Sequence, residues 1–520
     1  MFYVNSKIIS LFKKIVNRIK VLIRKIYILA RKERITIDVA ELFFQQNHIS
    51  GFLRYDMIVR LLAVECYYKK NNYGFDLYYR MQLYRNGKVW ADNAIGIFKD
   101  LIKSYEDNGY QEDSEIILDA DLHLLDGSHR MALALYHQQP YISAKVLPYA
   151  HDVFYSIEWF RINGFSDEEC RLLEDKFSSL KSSFCTPFVC TIWHPVRKYF
   201  DEITQNLSLF GVVKEVKDYN LSKWEYQFYT NGIYAVDDIE RWKIDKKLEH
   251  MLSPNTEIYQ MRMVSLEIED PQFRLKKNHK SLSRRCEQIK KQIRDAYRQK
   301  VDGYFFDIIM HIGDNYYQNR HIHNLLTMPS IDLKLIIEHL HDYKYVITKF
   351  DTPYMPTDFP EHYPLGKDID IICYDEDEYR KILNSVEKDV SSYETSFNIR
   401  RVKYTDQEKR EYRTLIRLEQ EGQVLVFQFD ISCRTGNLPS GFVAEMIDKR
   451  EEKNAFYVPR IEYELIIRLY EIKKTANKRH HIDFVRKHFK DVNYSLCEKY
   501  LDKRTDEILK KKINDHDSIS

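Results

Sequence analysis

The stretch Ile116-Ile117-Leu118-Asp119-Ala120-Asp121-Leu122-His123-Leu124-Leu125-Asp126-Gly127-Ser128-His129-Arg130-Met131-Ala132-Leu133-Ala134 carries the strongest local pattern in the chain. Two short apolar runs lead into Asp-Gly-Ser-His-Arg, and apolar residues at helical spacing follow. That order predicts a strand, a tight turn and a helix N-terminus. Asp126 or Ser128 is placed to cap the helix, and Gly127 would let the backbone pass close to a ligand. Free amides at such an N-terminus suit a phosphate, with His129 and Arg130 as further donors. The same residues equally describe a well-capped helix whose His and Arg are solvated.

Leu124-Leu125-Asp126-Gly127-Ser128-His129-Arg130, followed by Met-Ala-Leu-Ala, resembles the signature of the ParB/sulfiredoxin-like superfamily, over residues 34–148. Its members include partition CTPases, sulfiredoxins and small-metabolite kinases, and its motif contacts nucleotide phosphates. Ser128 stands where sulfiredoxins carry Cys, which argues against sulfinic-acid repair. Resemblance to the kinase branch implies Asp126 as base or magnesium ligand, with Gly127, Ser128, His129 and Arg130 cradling phosphate.

At 520 residues the chain is too long for one core. The expected divisions are a basic amphipathic helix at 1–33, a ParB-like domain at 34–148, a middle α/β domain at 149–335, a second α/β domain at 336–490 and a charged helical tail at 491–520. The fold class is therefore α/β, in the sense of an α+β multidomain protein. A net charge of +2 makes no global demand for nucleic acid or acidic substrates. Eight scattered Cys without a CxxC pair indicate a reducing cytoplasm, and Cys185, Cys190 and His194 lack the second pair that zinc needs. In 1–33, Lys and Arg line one side and Ile, Leu and Phe the other, a pattern suited to an anionic inner leaflet or to docking on the protein itself.

Within 34–148, a helix beginning at Tyr55 places Asp56 near its N-terminus and Arg60 one turn on. Tyr78, Tyr79, Arg80, Gln82 and Arg85 precede an Asn86-Gly87 turn. Arg80, Gln82 and Arg85 supply directed donors for a phosphorylated or hydroxyl-rich substrate, or form a solvated helix face. In the middle region the pattern predicts a helix over 237–251, a strongly basic helix over 281–299 whose Arg294 is a further candidate for binding substrate, and a strand over 305–310. That strand would deliver His311 to a Gly313 turn as a phosphate-handling or catalytic group. Residues 308–315 faintly resemble the histidine loop of nucleoside diphosphate kinases, but the surrounding order and spacing differ and no activity is carried over.

Past residue 336, Gly366-Lys367-Asp368-Ile369-Asp370-Ile371 alternates as a strand, which puts Asp368 and Asp370 on one face. Asp430, within Val426-Phe427-Gln428-Phe429-Asp430-Ile431, offers a third carboxylate from another strand. Carboxylates so placed repel unless protonated or bridged by a cation, and magnesium with nucleotide phosphates is the usual bridge. The pattern resembles the polymerase-β-type nucleotidyltransferase superfamily over 342–488. That resemblance implies Asp368, Asp370 and Asp430 as catalytic metal ligands, Gly366 and Lys367 at the nucleotide, and a helical cap over 459–488. The family's Gly-Ser helix start is absent, and Lys349 with a long loop stands in its place.

These expectations combine into a bifunctional enzyme using Mg2+ (or Mn2+) and ATP or another NTP. The front domain would phosphorylate a small hydroxylated metabolite, a sugar or polyol, and the rear domain would attach a nucleotide to it. Products of this kind feed bacterial surface polysaccharides, which places the chain in the cytoplasm, peripheral to the inner membrane. No specific nucleic acid is expected. The alternatives are a ParB-like DNA-binding or partition protein and a toxin-type nucleotidyltransferase acting on protein or RNA.

Overall fold

The computed structural model describes residues 34–501 except 49–50, 149, 151–153, 277–279, 306, 405–411, 421–423, 437, 475–478 and 492. The helix expected over 1–33 and the charged tail beyond Leu501 lie outside the described residues. The chain is mixed α/β and divides into two compact units. One takes the residues up to Tyr219 together with Gln260–Arg320, and the other takes Asn220–Tyr259 together with those from His321 on. The 149–335 segment is thus shared between the two units. Among the described residues, no helix is long and apolar enough to cross a membrane.

In the first unit, the opening stretch forms the strands Ile116–Leu118 and Leu124–Asp126 and the helix Ser128–Tyr136. They join a four-stranded sheet in the order Ile35–Asp38, Tyr141–Val146, Ile116–Leu118, Leu124–Asp126, with one parallel pairing at its centre. The helices Tyr55–Tyr68, Tyr73–Asn86 and Lys88–Asn108 supply apolar residues to the same core. A second sheet runs Met310–Ile312, Phe188–Ile192, Tyr259–Glu267, Val212–Leu221.

Several expected elements are shorter than their patterns. The 281–299 helix begins as the strand Ser281–Ser283, paired with Phe273–Leu275, and is helical over Arg284–Tyr297. Ser283 sets that start, its hydroxyl accepting from the Cys286 amide at 3.1 Å, which satisfies a free donor of the first turn. The 237–251 helix begins at Arg241. The 305–310 strand is instead Met310–Ile312, so His311 sits inside the strand, opposite Thr191, rather than beyond its end.

The Val39–Gln45 helix ties the distant Gln260–Arg320 segment into the first unit. Glu41 Oε1 accepts from the Tyr316 amide and Gln45 Oε1 from the Phe273 amide, each at 2.7 Å, while Asp38 pairs with Arg320. Burial, reinforced by Asp38, pushes the Glu41 carboxyl up to about 8. A raised carboxyl stabilises fully below its unfolded value and loses that contribution as pH rises through the folded value. Glu41→Gln keeps the acceptor oxygen and removes the titration. Urea unfolding should therefore show it matching the parent below pH 4 and gaining on it steadily above that, by up to roughly 4 kcal/mol at pH 8.

The second unit holds a five-stranded sheet in the order Tyr345–Thr348, Asp368–Cys373, Val424–Ser432, Arg413–Gln420, Asn398–Tyr404. Asp368–Cys373 and Val424–Ser432 run parallel, and the other neighbours are antiparallel. Glu376–Ser391 is the crossover helix after the first of these strands, and Ile461–Lys474 and Arg479–Lys487 occupy the region expected as a helical cap.

Candidate metal centre and anion site

Period-two alternation sorts the second unit's sheet into two faces. Ile369, Ile371, Phe427, Phe429 and Ile431 are buried in the core, while Asp368, Asp370, Gln428 and Asp430 alternate with them onto the opposite face. Asp370 lies directly opposite Asp430 across the parallel pair. Neighbouring strands are about 4.8 Å apart, so this register forces the two carboxylates together. Among the described residues, Asp368, Asp370 and Asp430 are the one group of three or more His, Cys, Asp and Glu side chains whose ligand atoms all lie within 4.8 Å of one another.

Two cations answer this charge. Lys349 Nζ stands 3.2 Å from Asp370, and Arg413 forks onto both Asp430 oxygens, its Nε at 2.8 Å from Oδ1. Burial, then Asp370, raises the Asp368 carboxyl, with Lys349 opposing. Burial also raises Asp430, against the bond from Arg413. Burial disfavours the charge on Lys349, yet Asp370, Glu471 and Asp368 together raise it. Lys349 has φ +58°, a left-handed backbone that β-strand residues rarely adopt, and its amide donates to Glu464 Oε1 at 2.9 Å. Glu464 is itself paired with the fully buried Arg468 at 2.6 Å, so the strained turn is held from the Ile461–Lys474 helix.

The three carboxylates and the two cations in contact with them carry one net negative charge, and all the donors are hard oxygens. That set fits Mg2+ or Mn2+. A cavity of about 180 Å3 adjoins Asp370 and Asp430 and is also lined by Lys349, Arg413, Arg434 and Tyr470. Gly366 and Lys367 line a different cavity, of about 630 Å3.

In the first unit, the cap of the motif helix differs from the expected one. Neither Asp126 nor Ser128 caps the Ser128–Tyr136 helix; Gly127 occupies the cap position at φ +95° without a side-chain bond. Asp126 Oδ1 accepts from the adjacent Gly127 amide at 2.8 Å. A Cβ on Gly127 would meet the Ile116 side chain at 2.5 Å, so the close approach that glycine permits is to the neighbouring strand. Ser128 accepts from Arg54 Nη2 at 2.8 Å. His129 meets the Tyr78 hydroxyl at 2.7 Å and packs on Phe98. Burial, followed by Arg60 and Arg85, lowers His129 to about 2, which keeps it neutral rather than a cation for phosphate. Arg130 donates to the Glu115 carbonyl at 2.5 Å.

Behind the motif lies a cluster whose members Asp56, Arg60 and Arg85 were visible in the sequence but whose convergence, and Arg54, were not. Asp56, fully buried, receives Arg54 (2.8 Å), Arg60 (2.9 Å) and Arg85 (3.1 Å). Burial alone would raise Asp56, but Arg54, Arg60 and Arg85 outweigh it and hold the carboxyl well below its usual range. Three guanidinium groups on one carboxylate leave two positive charges beside Ser128 and His129, an environment suited to an anion. The i,i+4 spacing of Asp56 and Arg60 was the readable signal; Arg54 and Arg85 arrive from outside that helix.

The other expected substrate residues scatter. Gln82 is buried and accepts from Asn86 at 2.7 Å. Arg80 pairs with Glu169 at 2.6 Å, and Arg294 spends its guanidinium on the Met310 carbonyl and Asp307, both at 3.1 Å. His311 is buried in its strand. The structure therefore brings Arg85 to the motif and leaves Arg80, Arg294 and His311 away from it.

No family model matches the chain, and neither the curated proteins nor the solved structures searched contain a match.

Because Arg413 occupies both Asp430 oxygens, it competes with a metal ion for them. Arg413→Gln should tighten Mn2+ binding, measured by electron paramagnetic resonance, by at least about tenfold, since a unit charge at this distance carries several kcal/mol. Asp430→Asn should weaken it.

Proposed function

We propose that this chain is a bifunctional phosphotransferase and nucleotidyltransferase acting on a small hydroxylated metabolite, a sugar or polyol. The observation that carries the reading is the register of Asp370 against Asp430, with Asp368 on the same face and Lys349 and Arg413 beside them. The likeness to polymerase-β-type nucleotidyltransferases rests on the same three residues.

Asp368, Asp370 and Asp430 would hold the divalent ion, which supplies charge neutralisation for a triphosphate. Lys349, Arg413 and Arg434 stand around the adjoining cavity as further counter-charges. Arriving phosphate competes for Arg413 and so releases Asp430. An oxygen of the acceptor's phosphate bonds to the α-phosphorus of the NTP, the α–β bridging bond breaks, and pyrophosphate leaves with its electron pair. The acceptor phosphate attacks as its dianion, so the step requires no proton acceptor.

The front domain would make that acceptor by phosphorylating a hydroxyl. Its support is the Arg54–Asp56–Arg60–Arg85 cluster behind the ParB-like motif, with Asp126 as base or magnesium ligand. Supply of an activated sugar or polyol to surface polysaccharide synthesis follows from this pairing, in cytoplasm beside the inner membrane.

With purified full-length protein, Mg2+ and a panel of NTPs and sugar or polyol acceptors, Asp370→Asn should cut pyrophosphate release about 100-fold or more while sparing ATP-dependent phosphorylation. Asp126→Asn should abolish the phosphorylation and spare pyrophosphate release when the acceptor is supplied already phosphorylated. Pyrophosphate release unchanged by Asp370→Asn would sink the rear-site reading.

A further inference from the structure

The cavity of about 630 Å3 has the volume of a small-molecule pocket (roughly 300–1,000 Å3) and belongs wholly to the second unit. One wall is a single face of the Lys223–Ile233 helix, where Trp224, Gln227, Phe228 and Asn231 recur at three- and four-residue spacing. Arg241, Asp245 and Glu249 line it from the Arg241–Met251 helix. Gly366 lies at φ +72°, and a Cβ there would come within 2.9 Å of the Phe228 ring, so a side chain at this position would collide with that wall.

Two features call for a ligand of defined chemistry. Asn231 Oδ1 is buried with no hydrogen-bond partner among the described residues, and an unsatisfied buried acceptor costs about 1–3 kcal/mol. Lys367 rests its ammonium over the rings of Trp224 (5.5 Å) and Tyr354 (5.1 Å), and no carboxylate pairs with it among the described residues. The Asn231 side chain and a cation with no carboxylate paired to it therefore line one pocket. Glu249, whose Oε2 accepts from Lys246 at 2.6 Å, adds its other oxygen as an acceptor, and Gln227 adds both donors and an acceptor, a set that matches hydroxyl groups, which donate and accept at once. Trp224 and Phe228 offer apolar ring surface to a carbon face.

We propose that this cavity binds a phosphorylated sugar or polyol. The phosphate lies on Lys367, the hydroxyls meet Gln227, Asn231 and Glu249, and the carbon face lies against Trp224 and Phe228. The assignment makes this cavity the acceptor subsite of the rear centre and rests on that reading for the reaction it serves; Lys367 immediately precedes the strand that carries Asp368 and Asp370.

The test is binding without NTP or metal, so that it reads the cavity alone. Ribose 5-phosphate, glucose 1-phosphate and glycerol 3-phosphate, their unphosphorylated counterparts, and a nucleoside monophosphate are titrated into the full chain by calorimetry. Saturable binding of at least one of the three phosphates is expected. Lys367→Gln should weaken it about tenfold or more, and Asn231→Leu and Trp224→Ala should weaken it as well. Asp370→Asn should leave it intact. Retained Mn2+ binding by each cavity variant reports that it is folded. Absence of saturable binding by all three, binding indifferent to Lys367→Gln and Asn231→Leu, or preference for the nucleoside monophosphate at this cavity would overturn the proposal. Each of those results leaves the metal-dependent pyrophosphate assay free to stand or fall separately.

Discussion

Three carboxylates on one face of a twisted sheet are the constraint around which the second unit is arranged. Strand spacing gives Asp370 and Asp430 no means of separating, and burial denies them full hydration. Such a group persists only if cations share it. Lys349 and Arg413 do so from the two strands that flank the parallel pair, and each comes at a cost. Lys349 requires a left-handed backbone at the end of its strand, and Arg413 gives up hydration for a fork on a single carboxylate. The buried Glu464–Arg468 pair then has a clear purpose, because Glu464 accepts the amide of the strained residue.

The first unit shows the opposite sign. One buried carboxylate, Asp56, is surrounded by three arginines, and the surplus positive charge lies behind the motif rather than in it. Arg54 links the cluster to the motif through Ser128 and the Leu124 carbonyl. The field reaching the N-terminus of the Ser128–Tyr136 helix therefore adds to the helix dipole. His129 contributes no charge to it, since burial and the same arginines keep its ring neutral. The two units thus hold inverse electrostatic designs: acids tempered by two cations in one, and cations organised by one acid in the other.

Local pattern made much of this legible. Alternation in Asp368-Ile369-Asp370-Ile371 and in Phe427-Gln428-Phe429-Asp430-Ile431 predicted both strands and the shared face of their acids, because side-chain direction in a strand follows from period two alone. The strand–turn–helix order at Ile116–Ala134 was equally readable. Caps and short strands were not. Whether Ser283 begins a helix, or Gly127 rather than Ser128 occupies a cap, depends on partners outside the segment.

Sequence by itself determined which residues alternate, which carry charge and where turns must fall, since these follow from chemistry within a few positions. Tertiary structure alone decided that Asp370 faces Asp430, that Arg413 and Lys349 close on them, and that Arg54 and Arg85 converge on Asp56. It also decided that Gly366 and Lys367 open onto a pocket built by residues more than a hundred positions earlier. The physical reason is common to all of these: strand register and helix packing minimise the energy of the whole core, and no short window of sequence contains the partners that set it.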